Sequence, residues 1–361
     1  MNREIEYWVA TSAIPGVGTQ TFNYLYKKFK SLKKFWEAAD SEINSLKIDA
    51  KTKASIIDFR KKVDPKIYLE KVYAAEIKVV ARIDRDYPAN LRQLEGCSAV
   101  LYYRGNLLPQ DDLAVAVVGS RNATIYGRQV TEKLVFDLSK NGLTVISGLA
   151  RGIDSVAHRA ALDAGGRTVA VLGSGLDNIY PPQNRNLAEE IVKNGAIVSE
   201  FPLGFPALPN NFTARNRIIS GLSLGVLVTE AAVDSGSLIT AGYAAEQGRE
   251  VFAVPGPVTS KTSEGANNLI KDGVHLVTEA SDILEILDIK RRARQLETIN
   301  KKPETKDKNQ MRILEILDGE AKHIDLIARE VKMPIDKVSA TLSLMELSGI
   351  VRNYGSGVWG A

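Results

Sequence analysis

Short apolar runs that alternate with segments of helical length constrain the fold of this 361-residue chain more than any other sequence feature. The runs span residues 113–118, 144–146, 168–172, 196–198, 225–229, 250–254 and 274–277. Strands without polar alternation are buried on both faces, and the intervening helices supply the cover. The pattern therefore predicts a doubly wound, mostly parallel α/β sheet.

Residues 5–64 have a helical pattern, because apolar side chains recur at spacings of three and four. The clearest stripe consists of Phe22, Leu25, Tyr26 and Phe29. Before this stripe the pattern is interrupted by Gly16 and Gly18. Amide groups at such a turn can hold a DNA phosphate, as in helix-hairpin-helix modules; the alternative is a turn that merely needs glycine. We predict a helical domain of the helix-hairpin-helix or SAM-like type over residues 1–80.

The predicted α/β domain spans residues 81–288, and two further segments follow it. Residues 289–310 are charged and almost without apolar side chains, which predicts a solvated linker. A basic strand that contacts phosphates is the alternative. Residues 311–361 contain three apolar-periodic segments and a hairpin pattern, the outline of a winged helix. This segment has 6 Lys and Arg against 7 Asp and Glu, which favours a protein contact or dimer tuning over DNA-groove binding.

Composition excludes several protein classes. Hydrophobic residues make up 44% and charged residues 25%, values that are typical of globular domains rather than of disordered or fibrous chains. No apolar run reaches about 18 residues, and the acidic start does not resemble a signal peptide, so we expect a cytoplasmic protein without a membrane segment. A single cysteine and three scattered histidines predict no disulfide and no metal site.

Motifs of nucleotide-binding and hydrolytic enzymes are incomplete in this sequence. Residues 173–178 begin like a dinucleotide fingerprint but end in Asn178, and no Walker-type phosphate loop occurs. Residues 221–225 match G-x-S-x-G, but the predicted helix precedes the serine and the strand follows it. His158 comes four residues after Asp154, which predicts a helix-packing histidine bonded to that acid, with a base or ligand contact as the alternative. We therefore predict no catalytic residue and no cofactor.

Small and basic residues follow several of the predicted strands. The carboxyl ends of parallel strands meet at one edge of a sheet, where ligands bind. Small residues there allow backbone amides and helix N-termini to meet an anion. Each turn taken singly has a structural explanation, but together they predict a phosphate-binding groove. The predicted groove residues are Gly119, Ser120, Arg121, Ser147, Gly148, Arg151, Gly173, Ser174 and Ser237.

Residues 211–219 form the strongest candidate for nucleic-acid binding. Phe212 can stack on a base, and two arginines with an asparagine at a helix start can contact a phosphate backbone. These three residues are Arg215, Asn216 and Arg217, and neither arginine has an acidic residue within ten positions. The alternative is a core phenylalanine with surface arginines.

Several segments together resemble the bacterial DNA-processing protein A (DprA/Smf) family over nearly the whole chain. They read VVGSR at 117–121, SGLARGIDSVAH at 147–158, LGSGLDNIYP at 172–181, RNRIISGLS at 215–223, SGSLITA at 235–241 and GREVFAVPG at 248–256. The resemblance implies a Rossmann-like domain that binds and protects single-stranded DNA and loads the recombinase RecA on it during natural transformation. It also implies a homodimer without enzymatic activity.

By the same resemblance, Gly119, Ser120 and Arg121 line the phosphate pocket, and residues 212–217 border the path of the strand. Several relatives have basic residues where this chain has Pro209 and Ala214, which implies a weaker contact with the backbone here.

The resemblance leaves two further expectations. We expect the dimer contact at Leu269 and Ile270, on the last helix of the α/β domain.

The competing hypothesis is an enzyme similar to the nucleoside-monophosphate phosphoribohydrolases, with Arg121 and Glu230 at a nucleotide. The P-G-G-x-G-T loop of those enzymes does not occur in this sequence.

Overall fold

The computed structural model describes residues 4–289, 292–293, 307–317, 321–347, 351–355 and 357–360. The chain forms two compact units, residues 1–293 and 294–361. The predicted boundary between residues 80 and 81 lies within the first unit and divides a strand that starts at Lys78. Of the predicted linker, residues 290–291 and 294–306 lie outside the described residues. Within the described part, no helix is long and apolar enough to cross a bilayer.

The first unit begins with six helices around an aromatic core. Trp8 packs against Phe22 and Tyr26, with ring centroids 5.3 and 4.9 Å away. Phe22 and Leu25 are buried, so the predicted helical stripe is confirmed. The helices are α1 (Ile5–Ser12), α2 (Thr19–Phe29), α3 (Leu32–Glu37), α4 (Asp40–Asn44), α5 (Ala50–Lys62) and α6 (Pro65–Ala74).

Nine strands of the same unit form one sheet. They are β1 (Lys78–Ala81), β2 (Val100–Gly105), β3 (Ala114–Gly119), β4 (Thr144–Ser147), β5 (Thr168–Leu172), β6 (Gly195–Ser199), β7 (Gly225–Glu230), β8 (Glu250–Ala253) and β9 (His275–Leu276). The seven predicted strands correspond to β3 through β9, and each end agrees to within one residue. The apolar-run pattern did not include β1 and β2, which lie at one edge of the sheet.

The strand order is β1-β2-β6-β5-β4-β3-β7-β8-β9. Strands β3 through β9 are parallel, whereas β2 pairs antiparallel with both β1 and β6. The chain adds strands on one side of β3 as far as β6 and then returns to place β7 on the other side. The predicted mostly parallel, doubly wound sheet is therefore confirmed, and its strand order reverses between β3 and β7. Open α/β sheets bind ligands at such a reversal.

Helices cover both faces of this sheet. Val115 and Val117 of β3 pack with α8, α9 and α14 on one face. Ala116 and Val118 of the same strand pack with α11, α12 and α13 on the other face. These helices and their neighbours are α7 (Ala89–Arg92), α8 (Ile125–Lys140), α9 (Ile153–Asp163), α10 (Arg185–Asn194), α11 (Pro209–Leu222), α12 (Gly236–Glu246), α13 (Glu264–Lys271) and α14 (Ala280–Ile286).

The second unit is a small winged helix, as the sequence predicts. Its elements are α15 (Lys308–Leu317), β10 (Lys322–His323), α16 (Ile324–Val331), α17 (Ile335–Leu347), β11 (Arg352–Asn353) and β12 (Val358–Gly360). Ile313, Ile327, Leu342 and Trp359 form its core. The first helix starts three residues before the predicted residue 311, within the predicted linker. Residues 349 and 350 of the predicted hairpin lie outside the described residues.

Candidate functional site

A cavity of about 540 Å³ lies at the carboxyl ends of β3 and β7, where the strand order reverses. We call it the switch-point pocket. Its walls come from the loop after β3, the start of α9, the first half of α11 and the start of α12. The predicted site residues that line it are Gly119, Ser120, Arg121, Phe212, Arg215, Asn216 and Ser237. The fold thus brings together predicted site residues from three separate segments of the sequence.

The other predicted site residues do not line this pocket: Ser147, Gly148, Arg151, Gly173, Ser174 and Arg217. Ser147 and Ser174 are buried, and their hydroxyl groups donate to the carbonyl oxygens of Val117 and Asn178 at 2.6 and 2.7 Å. These two hydroxyls therefore bond to this chain's own backbone. Arg151 is exposed at the turn before α9.

The space beside Gly148 and Gly173 is filled by side chains of α11. A Cβ atom at Gly148 would overlap the guanidinium group of Arg215. A Cβ atom at Gly173 would lie 2.8 Å from the ring of Phe212, closer than such atoms approach. These two glycines make room for α11 rather than for a phosphate, which corrects the sequence prediction.

Arg215 is buried, with 4% of its surface exposed, and it faces the buried carboxylate of Asp154. Its Nη1 donates to the carbonyl oxygen of Val171 at the end of β5. Asp154 also accepts from the amides of Gly148 and Ala150, at 3.1 and 3.3 Å. Burial lowers the pKa of Arg215 to about 10, while Asp154 opposes this change, so the side chain stays positively charged at neutral pH. The structure therefore places a fixed positive charge in the wall of the pocket.

Arg217 points to the opposite side of α11. It forms an ion pair with Glu200 and donates to the carbonyl oxygen of Gly96 at 3.1 Å. Ser98 completes this group, because its hydroxyl donates to Glu200 at 2.8 Å. Arg217 therefore has an acidic partner and Arg215 is influenced by the charge of Asp154, although neither arginine has an acidic residue within ten positions of the sequence. Arg217 is structurally engaged outside the pocket, and its predicted contact with a DNA strand remains a prediction.

Three side chains form a ladder along the pocket wall. The guanidinium carbon of Arg121 lies 5.8 Å from the centroid of the Phe212 ring. The Phe212 ring in turn lies 5.4 Å from the Tyr180 ring, with 32° between their planes. Tyr180 is 48% exposed, so one face of this ladder is open to a planar ligand. The sequence prediction did not include Tyr180. The feature that could have identified this residue is its position as an aromatic side chain just after the glycine-rich turn that follows β5.

The N-terminus of α8, the helix that follows β3, is already occupied by a carboxylate. Glu230 is 2% exposed, and its Oε2 accepts from the amide and hydroxyl groups of Thr124 at 3.1 and 2.8 Å. A side chain at Gly127 would overlap the same carboxylate. Because this helix end is filled, a phosphate in the pocket has to use other donors. Glu230 does not line the pocket.

The N-terminus of α12 is open toward the pocket. Ser235 begins this helix, and its hydroxyl bonds to the hydroxyl of Ser237 at 2.8 Å. The Ser235 hydroxyl also accepts from the amide of Ser237 at 3.4 Å, while no atom lies within 4 Å of a Cβ position at Gly236, so there is free space beside Gly236. Asn216 fixes α11 against this end by donating to the Gly236 carbonyl at 3.3 Å. Asp234, which is exposed, adds one negative charge at the mouth of the pocket.

His158 is a packing residue, but its partner differs from the prediction. Its Nδ1 lies 2.6 Å from the hydroxyl of Thr168, not against Asp154. The Thr168 hydroxyl donates to the Val145 carbonyl at 2.7 Å, so Nδ1 carries the proton and donates to Thr168. Burial, reinforced by the charge of Arg215, lowers the pKa of His158 to about 3. The imidazole is therefore neutral in the folded protein.

Two further predicted regions lie away from the pocket. Gly16 and Gly18 flank the turn before α2, and both line a second cavity. Leu269 and Ile270 lie on α13 and are half-buried; Leu269 packs against the core beside the sheet. Since α14 follows α13, the expectation that these residues lie on the last helix of the domain is wrong. The phosphate contact and the dimer contact remain predictions.

Comparisons with known proteins agree with this architecture. Residues 78–288 match the family model of DNA recombination-mediator protein A, and residues 300–356 match that of the DprA winged helix domain. Protein Smf of Synechocystis sp. is 35% identical to this chain over 97% of both sequences. Protein Smf of Escherichia coli is 43% identical over 73% of this chain and 72% of its own length.

Two solved structures are also similar. The X-ray structure of DNA processing protein A from Streptococcus pneumoniae matches with a TM-score of 0.68 and 35% identity, and covers 79% of this chain and 98% of that one. A structure that reports the single-stranded DNA binding mode of DNA processing protein A from Helicobacter pylori matches with a TM-score of 0.53 and 30% identity. It covers 59% of this chain and 95% of that one.

The neutral, buried state of His158 predicts acid sensitivity. The unfolded chain takes up a proton near the ordinary pKa of 6.5, whereas the folded protein does so only near 3, so stability falls as the pH drops through this window. We expect His158 to account for about 2 kcal/mol of lost unfolding free energy between pH 6.5 and pH 5. Chemical denaturation of the parent and of His158→Asn measures this difference. Equal pH dependence in the two proteins would contradict the assignment.

Proposed function

The chain belongs to the DNA recombination-mediator protein A family, and we propose that it binds single-stranded DNA in the switch-point pocket with little sequence preference. The observation that carries this proposal is the ladder of Arg121, Phe212 and Tyr180 in the pocket wall. An exposed guanidinium group beside two neighbouring rings offers one contact to a phosphate and a flat face to a base. Every base has such a face, so this kind of contact does not select a sequence.

Backbone groups support the same ligand. The N-terminus of α12 at Gly236 lies beside the pocket and places the positive end of a helix dipole there. Arg215 adds a positive charge to the pocket wall. Because this side chain is buried, little water screens its attraction for an anion. These groups hold phosphates and do not read base edges.

The position of Glu230 supports binding rather than catalysis. An acid that assists cleavage of a ribosyl bond has to reach the ligand. Glu230 is buried, bonds to Thr124 and does not line the pocket. We therefore propose a binding function without an enzymatic step, in place of the phosphoribohydrolase-like alternative.

The finer role that we propose is protection of incoming single strands and loading of RecA on them during natural transformation. A pocket that grips phosphates at an open edge leaves most bases accessible to a recombinase. Two copies joined through the α13 region, with Leu269 and Ile270, would present two linked grooves and so raise the effective concentration of each for one strand. The family membership supports both parts of this proposal.

The ladder predicts two different binding defects. Arg121→Ala removes one phosphate contact and should reduce the slope of log affinity against log salt by about one unit. Phe212→Ala removes stacking and should cost about 1–3 kcal/mol with an unchanged slope. Titrations of an oligo-dT strand at several salt concentrations distinguish them. Arg159→Ala, an exposed arginine on α9 outside the pocket, is the control for loss of charge and should behave like the parent.

If a folded Arg121→Ala protein binds as tightly as the parent at every salt concentration, the pocket is not the phosphate site.

The RecA proposal predicts a functional consequence of the same substitution. The parent should accelerate RecA-dependent strand pairing on DNA coated with single-strand-binding protein, and Arg121→Ala should lose this effect because it no longer holds the strand. The assay uses the RecA of the same organism and follows pairing over time. Full acceleration by Arg121→Ala, or none by a parent that binds DNA tightly, would refute RecA loading and leave a protective role.

A further inference from the structure

A second cavity, of about 610 Å³, separates the N-terminal helices from the sheet within the first unit. We call it the aromatic cleft. The turn between α1 and α2 forms one wall, and residues 200–206 after β6 form the other. Its floor includes Asn211, Ala214 and Arg217 of α11. Its volume lies in the range of ligand sites, and none of the contacts proposed above uses it.

Aromatic rings dominate the lining of the cleft. The rings of Phe201 and Phe205 are stacked, with centroids 4.8 Å apart and 20° between their planes, and both are partly exposed. Phe22, Phe59 and Tyr68 line the facing side. Flat apolar faces of this kind accept nucleobases regardless of sequence.

The charged residues that line the cleft form one neutral pair. Glu200 is the single carboxylate among the residues that line it, and Arg217 neutralises it in an ion pair. The first turn of α2 contains no acidic residue, and its cap residue, Gly18, offers no side chain to the helix amides. The amide groups at the start of α2 therefore meet the cleft without a competing carboxylate.

The cleft and the switch-point pocket share one wall, the helix α11. Phe212, Thr213 and Asn216 face the pocket, while Asn211 and Ala214 face the cleft. A helix with its side chains is about 10 Å across. A single strand that crosses α11 therefore reaches the cleft within a few nucleotides.

We propose that the DNA strand held in the switch-point pocket continues over α11 into the aromatic cleft, where its bases stack between the N-terminal helices and residues 200–206. This inference rests on the proposed function, because the pocket supplies the first contact. The cleft then extends the site to a second group of nucleotides and makes the affinity of one protein copy depend on the length of the strand.

Gly18 offers a substitution that tests the cleft without harming the fold. Its φ of −80° and ψ of 179° suit any residue, and no atom lies within 4 Å of a Cβ there. Asp at this cap position stabilises a helix and at the same time places a negative charge at the cleft. Gly18→Asp is therefore the test variant, and Gly18→Ser, which caps the helix without charge, is the matched control.

The measurement is the affinity of oligo-dT strands of about 5 and about 12 nucleotides, lengths within the range that one single-strand-binding domain covers. One protein copy per strand is verified by titration. The parent and Gly18→Ser should bind the longer strand more tightly than the shorter one. Gly18→Asp should bind the longer strand about tenfold more weakly than the parent and the shorter strand equally well.

The proposal is wrong if Gly18→Asp binds the longer strand as tightly as the parent does. It is also wrong if Gly18→Asp weakens binding of both strands equally. A change in oligomeric state of Gly18→Asp without DNA would instead identify the cleft as an interface between copies. Absence of binding to either strand by the parent would refute the proposed function itself, a result distinct from a failure confined to the longer strand.

Discussion

The burial of one positively charged side chain beneath the strand ends determines how the candidate site is built. A guanidinium group without water is costly unless it is paired and hydrogen-bonded. Arg215 meets this requirement in part, because its Nη1 donates to the Val171 carbonyl at the end of β5 and the negative charge of Asp154 at the start of α9 favours its charged form. These contacts tie α11 to the sheet edge. They thereby fix Phe212 toward the switch-point pocket and Arg217 toward the aromatic cleft.

Some parts of the site could be predicted from the sequence, whereas the contacts that fix α11 could not. Strands β3 through β7 were predictable because they are buried on both faces and therefore lack polar alternation. The pocket followed from the rule that ligands bind at the carboxyl ends of parallel strands. The partners of Arg215 and Arg217 were not predictable, because Asp154 and Glu200 come from other segments of the chain. Gly148 and Gly173, which follow β4 and β5, correctly indicated that another group packs closely against the backbone. That group is a side chain of α11 rather than the predicted phosphate.

Helix ends provide the second lesson about anion binding in this fold. Glu230 fills the N-terminus of α8, whereas the N-terminus of α12 opens on the pocket. Glu230 is already bonded at the N-terminus of α8 and does not reach a ligand in the pocket. The arrangement thus favours holding a phosphate over transforming it, and the exposed ladder from Arg121 to Tyr180 extends the contact from a phosphate to a base. In a duplex, paired and stacked bases cannot present their faces to such a ladder.

The central claim is that this site holds a single strand through its phosphates and unstacked bases. A competition between single-stranded and duplex DNA of equal length for the intact chain, at moderate salt, tests it most directly. The account predicts that the single strand binds at least about tenfold more tightly, a difference of about 1.4 kcal/mol. Equal affinity for the two forms would contradict it.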